Sequence, residues 1–181
     1  MRVLEVRRHS LTKKGAARGR GSHLSAEGVA LARAIGQSAG PFERVVASSV
    51  PRAVETAVAM GFAVDDTVDM PSGYVPGEIP RHAQWEWEEP YRRLAEIVQA
   101  GGAAAEVAEA HREIWAETVG GVAEGGSALL VGHGGAIELA LVACLPGAAH
   151  DTWGTPFAHG DGVRLGFAGG RFVHAEFLRA V

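Results

Sequence analysis

Two short apolar runs in this chain each end in a histidine. The first is Val3-Leu4-Glu5-Val6-Arg7-Arg8-His9-Ser10, and the second is Ala128-Leu129-Leu130-Val131-Gly132-His133. Runs of this length, apolar on both faces, belong to buried parallel strands. A third element, Val45 to Ala57, reads as strand, turn and helix, with serine as N-cap and Pro51 in the first helical turn. Between the first and third elements, Leu31, Ala34 and Ile35 lie at helical spacing and predict a helix from about Ser25 to Ser38. A Gly- and Arg-rich loop, Lys13 to Ser22, precedes it.

The C-terminal half repeats this alternation. The Pro- and Gly-containing stretch Met70 to Pro80 reads as loop. Helices are predicted over about Glu88 to Gln99 and Ala103 to Val119, with Gly101-Gly102 as the break and Gly120-Gly121 as the stop. A further helix follows His133 and ends at Pro146-Gly147. Val163 to Phe167 and Phe172 to Phe177 flank Gly169-Gly170, the signature of a two-residue hairpin. Strands alternating with helices imply an α/β domain, a three-layer α/β/α sandwich with a mostly parallel central sheet. Ligands of such sheets bind beyond the carboxyl ends of the strands, where His9 and His133 both fall.

Length and composition narrow the class. At 181 residues, 47% of them hydrophobic, the chain suits a single domain over 1–181 with a sizeable core. The lone Cys144 forms no intrachain disulfide, and Met1 leads directly into a charged strand, so a cytoplasmic setting is expected. The apolar run Leu139 to Leu145 is shorter than the ~20 residues of a membrane span. The net charge of −4 hides a segregation: seven of the 17 basic residues fall in the first 22 positions. Glu78 to Glu124 carries ten acids against four bases. This opposes nucleic-acid binding and favours a small anionic ligand beside His9.

Four motifs in order now carry a resemblance. Arg8-His9-Ser10, Leu24-Ser25-Ala26-Glu27-Gly28, Ser48 to Ala57 with Arg52-Ala53, and Val131 to Gly135 with His133-Gly134-Gly135 resemble the histidine phosphatase superfamily, the phosphoglycerate mutase-like phosphatases. Ser10 stands where that family usually has glycine. The resemblance implies the phosphoglycerate mutase-like fold and metal-independent hydrolysis of a small phosphorylated substrate without a cofactor. It also implies that His9 attacks phosphorus and becomes a phosphohistidine, while Arg8 and Arg52 clamp the phosphoryl oxygens and His133 stabilises the charge between them. Ser10 is expected to add a hydroxyl donor to the phosphate. Of the loop carboxylates, Glu78 is the preferred leaving-group acid and Asp69 the next choice, while Glu138 lies too far along its helix.

Other residues leave alternatives open. His159-Gly160-Asp161 reads as a turn before the final hairpin, with metal binding as the rival reading. Trp85 and Trp87 either line a substrate pocket or pack the core. A phosphoglycerate mutase, a protein phosphohistidine phosphatase and a phosphate-binding protein with little turnover are the competing functions, and the sequence leaves the oligomeric state open.

Overall fold

A computed structural model of the chain describes residues 1–14 and 22–180. The strands are β1 (Arg2–Arg8), β2 (Arg44–Ser48), β3 (Asp66–Val68), β4 (Ser127–Gly132), β5 (Gly162–Ala168) and β6 (Arg171–Leu178). They form one six-stranded sheet in the order β3-β2-β4-β1-β5-β6. β3, β2, β4 and β1 run parallel, and β5 turns antiparallel against β1 before the hairpin to β6. The helices are α1 (Ala26–Gly36), α2 (Pro51–Ala59), α3 (Pro90–Gln99), α4 (Ala103–Gly120) and α5 (Ala136–Cys144).

Side chains alternate across each strand, so the central strands supply two cores. Val45, Ala47, Leu129 and Val131 pack with Ala32 of α1 and Ala53 and Ala57 of α2. Val46, Ala128 and Leu130 face the other way, toward Leu94 of α3, Trp115 of α4 and Leu141 of α5. The result is the three-layer α/β/α arrangement with a mostly parallel sheet. Among the described residues, no helix is long and apolar enough to cross a membrane.

Local chemistry sets the element ends. Ser25 caps α1 by accepting the Gly28 N–H at 3.0 Å. Pro90 opens α3, two residues later than expected, because its ring suits the first helical position. Pro51 likewise opens α2, but its N-cap is Val50 and no side chain caps it. The serine expected as cap is not one: Ser48 bonds with His133 and Ser49 with Asp69. Gly169 and Gly170 both have positive φ, 58° and 76°, as a tight hairpin turn requires. Within β1, Glu5 is 1% exposed and is balanced by Arg7 at 2.7 Å and Arg164 at 3.0 Å. That buried charge explains the polar interruption of an otherwise apolar strand.

Gly28 shows how closely the site's framework is packed. A Cβ there would lie 2.0 Å from the Leu11 carbonyl oxygen, a backbone atom that cannot move alone. Gly28→Ala is expected to cost about 1–3 kcal/mol in urea unfolding. Gly120→Ala, with open space around it at the end of α4, serves as the control and should change stability by less than about 1 kcal/mol.

Candidate active site

Strand pairing brings the two histidines together. Arg8 of β1 lies opposite Gly132 of β4, and the His9 N–H donates to the Gly132 carbonyl at 2.9 Å. His9 and His133 therefore leave the sheet side by side, with ring centroids 5.3 Å apart at 60°. β2 pairs with β4 on the other side and ends in Ser48. The Ser48 Oγ lies 2.7 Å from His133 Nε2 and fixes that ring.

The tautomer of His9 follows from its neighbours. Nδ1 sits 2.8 Å from the Ser10 carbonyl, which only accepts, so Nδ1 carries the proton. Nε2 is left with its lone pair, toward which the Arg52 Nε–H points at 3.2 Å. Arg52 comes from the first turn of α2, and the same helix supplies Thr56. Thr56 Oγ1 donates to the Arg52 carbonyl at 2.7 Å and accepts the Ser10 N–H at 2.9 Å, locking helix and strand end together.

Arg8 is held from the turn before β5. Its Nη1 donates to the Phe157 carbonyl at 2.7 Å and its Nη2 lies 3.2 Å from His159 Nε2. The guanidinium lies across Gly134, where a Cβ would come within 2.9 Å of it. The His159 ring also packs edge-on against His9, with centroids 5.3 Å apart. Of the two readings offered by the sequence, the turn before the hairpin is the one seen, and the side chain lies beside His9 and Arg8. Among the described residues, no group of three or more His, Cys, Asp or Glu is arranged to hold a metal ion.

Burial dominates the electrostatics. It pushes His9 down to about 2, aided by the charges of His133, Arg52 and Arg8 and opposed by the bond to Ser10. It also pushes His159 down to about 4, with Arg8 and Arg52 adding to the effect. Arg8 is lowered from the usual arginine value by desolvation, against which Glu138, Tyr74 and Asp161 act. Glu138 is wholly buried in α5, and desolvation raises its carboxyl above the ordinary range. Its oxygens accept the N–H groups of Gly135 at 2.6 Å and Phe157 at 3.1 Å. One carboxylate thus ties the His133-Gly134-Gly135 turn to the segment that holds Arg8.

Of the residues expected from sequence, His9, His133, Arg8 and Arg52 are brought together. Ser10 adjoins them, but its hydroxyl donates to the Gly28 carbonyl at 2.7 Å and is fully buried, so it fastens α1 instead of facing a ligand. Glu78 is not brought in: its carboxylate accepts the Ala104 N–H at 3.1 Å, serving the first turn of α4. Asp69 accepts from Ser49 at the mouth of β2. Trp85 is 46% exposed, and Trp87 packs partly against the larger core. Sequence reasoning missed the roles of Ser48, Thr56, Glu138 and His159. Ser48 and Thr56 stand within the Ser48 to Ala57 motif, which was the available signal for them.

The fold and this pair of histidines with two arginines define a phosphoryl-handling α/β protein. The chain belongs to the histidine phosphatase superfamily, branch 1, whose family model matches residues 6–177. It is a phosphatase of that kind. A search of curated protein sequences finds no match. Among solved structures, it is similar to a mycobacterial glucosyl-3-phosphoglycerate phosphatase with bound VO3 (24% identity, 100% of each chain, TM-score 0.66). It is also similar to a phosphoserine phosphatase from Entamoeba histolytica with 3-phosphoglyceric acid (15% identity, 98% of this chain and 97% of that one, TM-score 0.67). A third is the protein histidine phosphatase SixA with tungstate (17% identity, 98% and 97%, TM-score 0.60). At these identities the likeness is one of fold.

The depressed His9 has a consequence for folding. Between about 6.5, where an unfolded histidine titrates, and about 2, where folded His9 does, the unfolded chain holds the extra proton. Acid therefore favours unfolding in that window, and the stabilisation is fully present only above it. Chemical unfolding between pH 7 and pH 4 should show stability falling with acid, and His9→Asn should make that fall shallower.

Proposed function

We propose that the chain hydrolyses a small phosphomonoester through a phosphohistidine on His9, without a metal ion. The observation that carries this reading is the state of His9: Nδ1–H is fixed on the Ser10 carbonyl and the Nε2 lone pair faces the Arg52 guanidinium. A nucleophile with its proton held at the rear and a cation at its front suits attack on an anionic phosphorus. On binding, the phosphoryl oxygens take over the Arg52 N–H and engage Arg8, and His133 donates to the oxygen between them. Nε2 bonds to phosphorus while the ester oxygen departs with its electron pair and takes a proton from solvent water; a second water then attacks the phosphohistidine, losing a proton to solvent, releasing phosphate and returning the lone pair to Nε2. Arginine suits the clamp because its planar fork meets two oxygens at once.

Protein or small-molecule phosphohistidine is the second reading. Of the two loop carboxylates expected to act as acid, Glu78 is committed to α4 and Asp69 to Ser49. A phosphoramidate has a better leaving group than an alkyl ester and needs less help from an acid. A mutase or a binding protein would show, respectively, phosphoryl return to the acceptor or no covalent intermediate.

The test is hydrolysis of p-nitrophenyl phosphate with EDTA present, with acid-quenched protein assayed for phosphohistidine. EDTA-resistant turnover is expected, reduced by ~10³-fold or more in His9→Ala. Glu78→Gln should keep the wild-type kcat while lowering the melting temperature, since it weakens a helix cap. Anion binding with no trapped intermediate and no turnover would sink the hydrolytic reading. A rate on phosphoramidate far above that on glycerol phosphate would select the second reading.

A further inference from the structure

The turn from Phe157 to Asp161 is stitched together independently of its histidine. The Arg8 N–H donates to the Asp161 carbonyl at 2.9 Å, and the Gly160 N–H returns to the Arg8 carbonyl at 3.2 Å. Asp161 Oδ2 accepts from Ala158 N–H at 2.9 Å and Arg179 at 3.0 Å, and Oδ1 accepts from Ala180 N–H at 2.7 Å. None of these bonds uses the imidazole of His159. Yet that imidazole makes a ring contact with His9 and lies 3.2 Å from the Arg8 guanidinium.

Hydrogen-bond chemistry fixes what it does there. A guanidinium only donates, so His159 Nε2 must present its lone pair and the ring's proton must be on Nδ1. A protonated ring would set donor against donor at 3.2 Å. Burial and the two arginines keep the ring neutral down to about 4. Arg8 therefore has two acceptors, the Phe157 carbonyl and this nitrogen, which together set the plane of its guanidinium.

We propose that His159 is a positioning residue for the phosphate clamp: its neutral imidazole holds the Arg8 guanidinium in the plane from which it grips an oxyanion. This rests on the reading of the site as a phosphate pocket. It assigns no proton transfer to His159, which acts through Arg8. Its side-chain requirement is an acceptor at the Nε2 position, which a glutamine carbonyl can supply and a phenyl ring cannot.

The experiment is calorimetric titration of the intact protein with inorganic phosphate, for the wild type, His159→Phe and His159→Gln, with melting temperatures measured alongside. Loss of one charge-assisted bond should weaken phosphate binding by about tenfold in His159→Phe. The melting temperature should stay near the wild-type value, and His159→Gln should recover most of the affinity. Nitrogen NMR of the wild type at neutral pH should show the Nδ1–H tautomer. Phosphate binding by His159→Phe equal to that of the wild type overturns the inference alone, as does an Nε2–H tautomer. Equal losses of affinity and stability in both variants also overturn it, in favour of a packing role. Failure of the wild type to bind phosphate overturns the pocket reading itself, and this inference with it.

Discussion

Everything in the site depends on the parallel pairing of β1 with β4. Because Arg8 lies opposite Gly132, the residue after each strand end is a histidine, and one backbone bond from His9 to Gly132 holds the two exits together. A slip by one residue would turn every β1 side chain to the other face. Such a slip would carry Leu4 and Val6 out of their core and drag His9 away from His133. The register is thus enforced by burial along the whole strand, and the chemistry at its end inherits that precision.

Around this pairing the molecule spends buried charge on position. Glu138 is wholly enclosed, yet it joins the turn after His133 to the segment that holds Arg8. Asp161 does the same between the turn before β5 and Arg179 near the end of the chain. A buried carboxylate is costly unless its oxygens are satisfied, and both of these accept backbone N–H groups. The arginines and imidazoles of the site are therefore aimed before any ligand arrives.

Apart from the short, exposed β3, the strands and helices were legible because each follows from a local rule: apolar runs for the parallel strands, helical spacing for α1, Gly-Gly for the β5–β6 hairpin. His9, His133, Arg8 and Arg52 were legible through ordered motifs. What the chain could not disclose were the partners of short polar side chains. A serine was expected to cap α2, but Ser48 and Ser49 bond across to His133 and Asp69, and Ser10 turns to Gly28, since such hydroxyls choose among nearby partners that only the tertiary fold supplies. Glu78 looked free in a loop because the first turn of α4 that it serves lies 26 positions away. His159 was hidden for the same reason, its neighbour Arg8 being 151 positions distant.

One face of α2 has a wider consequence. Within a single turn it presents Arg52 to His9, Glu55 to the Leu24 N–H and Thr56 to the Ser10 N–H. The chain on either side of positions 15–21 is thereby clasped to the same helix, and a bridge between Thr12 and Leu24 closes the base. Most of the Gly- and Arg-rich loop expected over Lys13 to Ser22 lies outside the described residues. The end of β1 is thus held from two directions, by its strand partners and by one turn of α2.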